Sequence, residues 1–406
     1  MYLYRTAPQT ATVFVKVSRP MSELRAAQVN PRPDLIDFGI GQPGFDLLPA
    51  QALQRAARAR LDGEDSSFLN YGIEQGDGFF RHALATFLSG EYGCIVDPDE
   101  LFVTTGASTA LSLICTLFTR RGDVVFVEEP TYFLALRIFE DHGLQVIGLP
   151  MDGTGIDPEA LEVMARRHRP VFLYTIPTFQ NPTGITLSHA RRERLVALAR
   201  EYGFLIVADE VYHSLAYSTT PPAPLAAHTA SQQVISIGSF SKILAPGLRV
   251  GWLQAAPALI ARFVGCGLLD SGGGLNPFTS ALLQPLLDSG EQGRYLDHLR
   301  RVYGARVATL DAALRNALAE CRPGDIRFDR PDGGFFFWLR LPNGMDAGAL
   351  QQLAEAAEVG YQAGGRFSSR GGLQSRIRLS FAFYDEPALE EGARRLARVL
   401  QTAQTN

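Results

Sequence analysis

The chain is predicted to be an α/β protein: a mainly parallel central sheet with helices on both faces, then a smaller α+β domain. Three observations predict it. Short apolar runs alternate with helical stretches between about residues 50 and 290. Those runs are apolar throughout, as strands buried on both faces must be. Beyond about residue 290 the strict alternation stops, which marks a domain of different architecture.

In chain order, "PAQALQRAARARL" (49–61) has helical spacing. "LFVTTGAS" (101–108) reads as a strand entering a glycine turn, with "TALSLICTLF" (109–118) as the helix behind it. "DVVFVEEP", "PVFLYTIP", "FLIVADE" and "QVISIGSF" are Val-, Ile- and Phe-rich runs bounded by breakers, hence strands. "SHARRERLVALAREYG" (188–203) is a helix between two of them. The later part opens on a long polar helix pattern, "YLDHLRRVYGARVATLDAALRNAL". Two strand-like runs, "GGFFFWLRLP" and "SRIRLSFAFY", and a last helix, "PALEEGARRLARVLQTA", complete it. The expected division is 1–45 as an N-terminal segment packing with the small domain, 46–290 as the large domain, and 291–406 as the small C-terminal α+β domain.

Composition narrows the function. The 406 residues are 46% hydrophobic and 20% charged, which suits a soluble globular protein with a sizeable core. A net charge of -4 gives no reason to expect nucleic acid or an anionic membrane as partner. Cys94, Cys115, Cys266 and Cys321 form no CxxC pair and read as reduced thiols. The start lacks a signal-peptide pattern, and no apolar run is long enough to span a bilayer. A cytoplasmic protein without a metal centre is expected. One count stands out: of 38 Lys plus Arg, only Lys16 and Lys242 are lysine. An arginine stays protonated, whereas a lysine amine can be deprotonated and act as a nucleophile.

In open α/β sheets ligands sit beyond the carboxyl ends of the strands. Those ends here carry "TTGAS", "EEPTY", "PTFQNPTG", "ADEVYH" and "GSFSK". Gly106, Ala107 and Ser108 would open a helix whose free N–H groups attract an anion, although Ser108 is equally suited to be a plain N-cap. Ser239, Ser241 and Arg249 beside Lys242 suit a phosphate dianion, or form an ordinary Ser-rich loop. Asp209 ends a very apolar strand, where a carboxylate needs a partner: a following helix start or a cationic ring nitrogen. Tyr212 offers a phenol three residues on, and Glu210 reads as structural. Asn181, before Pro182, is held in an extended or turn conformation. Tyr132 would stack on a flat ring or belong to the core. An amine, a phosphate cradle, a carboxylate for a ring nitrogen and donors for a phenolate together describe a site for pyridoxal 5'-phosphate.

With these segments, and with "FGIGQPGFDLLP", "LNYGIEQGDGFFRHALATFL", "SFSKILAPGLRVGW", "PDGGFFFWLRLP" and "IRLSFA", the chain resembles the class I/II aminotransferases, fold-type I pyridoxal phosphate enzymes, over nearly its whole length. The resemblance implies a catalytic set of Lys242, Asp209 and Tyr132. Lys242 would be the Schiff-base lysine and proton carrier, Asp209 the partner of the ring nitrogen, and Tyr132 the ring-stacking aromatic. Asn181 and Tyr212 would hold the ring oxygen. Gly106, Ala107, Ser108, Ser239, Ser241 and Arg249 would bind the phosphate, joined by Tyr71 reaching across to the partner in a homodimer with shared sites. Arg378 would clamp the substrate carboxylate, with Arg376 as the alternative on the same strand face. Gly41 and Asn181 would lie against the substrate.

Two departures refine the branch. Ala107 offers no side chain to the phosphate. "SGGGLNPFTS" holds no arginine, unlike aspartate-type members, and with the opening of the chain it looks more like the aminoadipate and kynurenine-type branch. There an N-terminal arginine meets a distal acid, for which Arg19 and Arg25 are the candidates. The expected reaction transfers an amino group from an L-amino acid to a 2-oxo acid such as 2-oxoglutarate. A C–S β-lyase or an aminocyclopropane-carboxylate synthase-like enzyme would use the same cofactor residues. A ligand-sensing regulator would need a DNA-binding unit ahead of the domain, for which the forty-odd preceding residues are too few.

Overall fold

The computed structural model describes residues 27–319, 326–342 and 344–405. Its strands are β1 (Ile36–Asp37), β2 (Leu101–Thr104), β3 (Val124–Glu129), β4 (Gln145–Asp152), β5 (Gly155–Ile156), β6 (Phe172–Thr175), β7 (Leu205–Asp209), β8 (Val234–Ser239), β9 (Gly251–Ala255), β10 (Phe336–Arg340), β11 (Val359–Gly360), β12 (Gln362–Ala363) and β13 (Arg376–Ser380). Eight form one sheet in the order β2-β9-β8-β7-β6-β3-β4-β5. The pairs β8/β7, β7/β6, β6/β3 and β3/β4 are parallel. β9 runs antiparallel to both β2 and β8. β2, β3, β6, β7 and β8 therefore end at one edge of the sheet.

Strands β2, β6, β8 and β9 are buried at every position, as their unbroken apolar runs require. Helices cover the sheet, among them Ala107–Phe118, His189–Tyr202 and Pro158–His168. Their ends follow local chemistry. Asp157 and Ser188 accept hydrogen bonds from the first-turn N–H groups of their helices. Gly203, in left-handed conformation, closes the helix His189–Tyr202. Gly238 faces Trp252 across β8/β9, and a Cβ there would lie 2.0 Å from the indole ring. That glycine is what lets the indole fill the layer.

Beyond residue 290, the helix Glu291–Leu318 packs on the helix Glu386–Thr405, beside the antiparallel sheet β10-β13-β12. β1 pairs in parallel with β11, so the chain near residue 36 hydrogen-bonds to this later part. Arg19 and Arg25 lie outside the described residues.

Candidate active site

The register assembles the site. Thr104 of β2 and Ser239 of β8 both face Gly251 of β9, so the two strand ends stand about 10 Å apart, two strand spacings. Gly106 turns the chain out of β2 with φ +91° and opens the helix Ala107–Phe118, to which no side chain provides a cap. The first intrahelical bond runs from Ala110 N–H to the Gly106 carbonyl. The earlier N–H groups, at Ala107 and Ser108, lack such partners and carry the positive end of the helix dipole. Ser108 is thus the second helical residue, not the N-cap.

Arg249, itself left-handed at φ +51°, donates to the carbonyls of Thr105 and Pro246, each at 3.2 Å. A Cβ at Gly106 would sit 2.7 Å from its guanidinium. The Asn276 amide holds the Arg249 carbonyl from behind. The Ser239 and Ser241 hydroxyls are 2.9 Å apart, and Ser239 Oγ also accepts from Ser241 N–H at 3.1 Å. A helix start, two hydroxyls and a guanidinium therefore share one sheet edge, a donor set that suits a phosphate dianion.

Lys242 follows directly. Its Nζ donates to the Gly41 carbonyl at 2.8 Å and lies 5.6 Å and 6.0 Å from the rings of Phe335 and Tyr212. Burial, and after it the charge of Arg378, pulls the amine down to about 8, against the opposing pull of Asp209. This amine loses its proton far more readily than an ordinary lysine.

Asp209, the last residue of β7, is buried. Its Oδ2 accepts from Tyr174 Oη at 2.7 Å, while the buried Oδ1 has no partner. Burial raises its carboxyl to about 6, and the Tyr174 hydrogen bond opposes that rise. Glu210 faces the other way: it pairs with Arg192 at 3.7 Å and accepts from Ser236 Oγ at 2.7 Å.

Arg378 on β13 is also buried. It donates to Asn181 Oδ1 at 3.1 Å and to the Gly39 carbonyl at 2.9 Å, and its Nε has no partner. Its guanidinium lies 4.2 Å from the Phe336 ring and 5.1 Å from the Phe367 ring. Burial lowers even this guanidinium, to about 10. Arg376, by contrast, stands opposite Arg340 on β10, which separates the two candidates: Arg378 is the one beside Asn181. Tyr212 packs edge-on to Phe335 and Phe336, and its phenol is pushed well above the usual range by burial. Tyr132 begins the helix Phe133–Asp141, and burial, with the Asp209 charge, raises its phenol to about 12. A Cβ at Gly41 would press on Phe336 at 3.2 Å and Arg378 at 3.4 Å.

The structure thus brings together Lys242, Asp209, Asn181, Tyr212, Tyr132, Arg378 and Gly41. Gly106, Ala107, Ser108, Ser239, Ser241 and Arg249 lie on the same edge. Tyr71 is not among them: it stands on the surface, 83% exposed. Tyr174, Gly39 and Phe336 escaped the reading of the sequence. Tyr174 was visible only as one more apolar residue in "FLYTIP", and the β6/β7 register that sets it beside Asp209 is not written in either strand.

The residues fit pyridoxal phosphate, and the bare Oδ1 of Asp209 is the sharpest sign. A buried carboxylate oxygen without a donor is costly, and a protonated ring nitrogen supplies the missing donor. Fold and site define a pyridoxal phosphate-dependent enzyme. The description "Aminotransferase class I and II" matches residues 33–396, and the chain belongs to that family. It is similar to aromatic-amino-acid aminotransferase 1 of Thermococcus litoralis, 33% identical over 91% of this chain and 88% of that one. It is also similar to the 2-aminoadipate transaminase of Thermus thermophilus, 34% identical over 91% of each. Among solved structures, the Pyrococcus horikoshii kynurenine aminotransferase in complex with PMP superposes with a TM-score of 0.84, at 32% identity and 91% coverage of both chains. The chain is a transaminase of the aminoadipate and kynurenine-type branch, and pyridoxal phosphate is its cofactor.

Proposed function

We propose that the enzyme transfers an amino group from an L-amino acid to a 2-oxo acid, 2-oxoglutarate being one acceptor, with Lys242 as covalent anchor and proton carrier. The observation that carries this reading is one amine, pulled down to about 8, placed among a buried carboxylate with a bare oxygen and a buried guanidinium. Bound pyridoxal phosphate supplies an electron sink for the pair left when the substrate Cα–H bond breaks.

The chain's own groups do the rest. Lys242 Nζ would anchor the cofactor and, once freed by the substrate amine, would take the Cα proton and deliver it to the cofactor's C4' carbon, as transfer of the amino group requires. An amine near 8 is neutral in a large enough fraction of molecules at ordinary pH to act as that base. Asp209 Oδ1 would accept from the ring N–H and so favour its protonated form. Asn181 and Tyr212 would hold the ring oxygen, and Tyr132 would lie against the ring face. Gly106, Ala107, Ser108, Ser239, Ser241 and Arg249 would hold the phosphate. Arg378 takes the substrate carboxylate by its paired N–H groups, while the missing side chain of Gly41 leaves the approach open.

The working unit in this reading is a cytoplasmic homodimer in which Tyr71 reaches the partner's phosphate. Exposed Leu69, Tyr71, Ile73 and Phe278 beside the site support it, because an apolar patch of this kind marks an association surface. Among the described residues no helix is long and apolar enough to cross a membrane.

The test is an absorption spectrum of the purified protein before and after borohydride, with peptide mapping. A visible band reduced away, with the label on Lys242 and no band in Lys242→Ala, supports the anchor. Incubation with an amino acid alone then decides the reaction: stoichiometric 2-oxo acid without ammonia supports transfer. Catalytic release of ammonia and pyruvate from a cysteine conjugate would make the enzyme a lyase.

A further inference from the structure

Glu129 ends β3, three residues before Tyr132, and none of the roles above uses it. Its carboxylate is 4% exposed, yet its partners come from a segment some 240 residues away. Oε2 accepts from the Ser369 N–H at 2.9 Å and from Ser369 Oγ at 2.6 Å. Oε1 accepts from Ser368 Oγ, with Arg370 Nε 3.8 Å away. Thr131 N–H adds a bond to the Phe367 carbonyl at 3.0 Å. The neighbouring strand makes room: a Cβ at Gly148 would lie 2.3 Å from Ser369 Oγ and 2.7 Å from Glu129 Oε2. Both carboxylate oxygens are therefore engaged by donors from one loop.

That loop reaches the site. The Phe367 ring meets Phe133 and Trp338 edge-on at 5.3 and 5.6 Å, and the Arg378 guanidinium lies 5.1 Å from it. Trp338 faces Arg378 directly across β10/β13. A chain of packed groups thus runs from Glu129 through Ser368–Ser369 and Phe367 to Arg378. We propose that Glu129 is a positioning residue: it clasps the loop Phe367–Gly372 to the end of β3 and so holds Arg378 where a substrate carboxylate meets it. A carboxylate suits the site because three hydrogen-bond donors converge on it with the Arg370 guanidinium 3.8 Å away. A glutamine would lose that charge and set its own NH2 against one side of the cluster, and charge-assisted hydrogen bonds outlast neutral ones.

The inference rests on the assignment of Arg378 to the substrate carboxylate, and its test separates the two. Holoenzyme carrying Glu129→Gln is compared with wild type, with Ser369→Ala as a milder variant that removes one donor from the other side. Binding of 3-phenylpropanoate, read from the visible band, is expected to weaken about tenfold in E129Q and less in S369A. KM for both substrates rises while kcat stays within about twofold. Trypsin, which cuts after Arg370, cleaves the released loop faster in both variants. The unliganded spectrum and borohydride labelling of Lys242 stay as in wild type. E129Q that binds the carboxylate as tightly as wild type, or keeps Arg370 equally protected, overturns the clasp. If wild type itself shows no visible band or no carboxylate effect, the site assignment fails instead, and the trypsin comparison still decides the clasp.

Discussion

Asp209 and Glu210 are adjacent acids with opposite surroundings, and the difference decides what each can do. Glu210 is satisfied by Arg192, Ser236 and two backbone N–H groups. Asp209 has one side-chain donor, Tyr174, and an Oδ1 without a hydrogen-bond partner. Its folded pKa, about 6, lies above the model-peptide value of 3.8, so the folded chain binds that proton more tightly than the unfolded chain. The stability linked to it is whole below about pH 4 and is lost as pH rises towards 6. In protein stripped of cofactor, Asp209→Asn should therefore be more stable than wild type at pH 7, by on the order of 2 kcal/mol. The gain should close below about pH 4, and urea titrations at the two pH values check it. A gain equal at both would mean that packing, not ionisation, sets it. Lys242 runs the other way: its folded pKa is depressed, so the penalty for its charge is full below about pH 8 and fades as pH rises towards the ordinary lysine value of 10.5. Lys242→Met should raise the Tm of the stripped protein at pH 7 and raise it less at pH 10.

At the scale of elements, glycines fix the strand ends that the site needs. Gly106 combines φ +91° with a Cβ position 2.7 Å from Arg249. Gly106→Ala should displace that guanidinium and weaken cofactor retention by at least tenfold, for a strain on the order of 1–3 kcal/mol. Equilibrium dialysis of the cofactor measures it. Much of this edge was legible, because β2, β3, β6, β7 and β8 are buried on both faces and their polar ends stand out against them. β4 was not: half-exposed along its length, it lacks the unbroken apolar run that marks the others. β9 was read as part of the "SFSKILAPGLRVGW" segment and not as a strand. Its role in setting Gly106 and Ser239 two strands apart depends on pairing order, which no local pattern encodes. The Glu129 clasp is hidden for the same reason: "EEP" and "FSSR" are polar pairs that only the fold makes neighbours.

At the scale of the whole molecule, one surface has no partner among the described residues. The loop carrying Leu69, Tyr71 and Ile73 packs beside the segment ending in Phe278. Gly274 N–H bonds to the Gly72 carbonyl at 3.1 Å, and Phe68 stacks on Phe278 at 6.2 Å. These contacts hold the loop in place yet leave Leu69, Ile73 and Tyr71 60% or more exposed. An apolar loop turned to water loses free energy unless it is covered, and in the proposed dimer a second copy of the chain would cover it symmetrically. Ile73→Asp places a charge in that surface and should convert a dimer into monomer in sedimentation equilibrium, with loss of bound cofactor in the same samples. Tyr71→Phe should behave differently. It keeps the apolar ring, hence the dimer, and loses only the hydroxyl proposed to reach the partner's phosphate, so cofactor affinity falls while mass does not. Wild-type protein that sediments as a monomer with full cofactor occupancy would remove both the dimer and the role of Tyr71, because a phosphate held without a partner needs no group from across an interface.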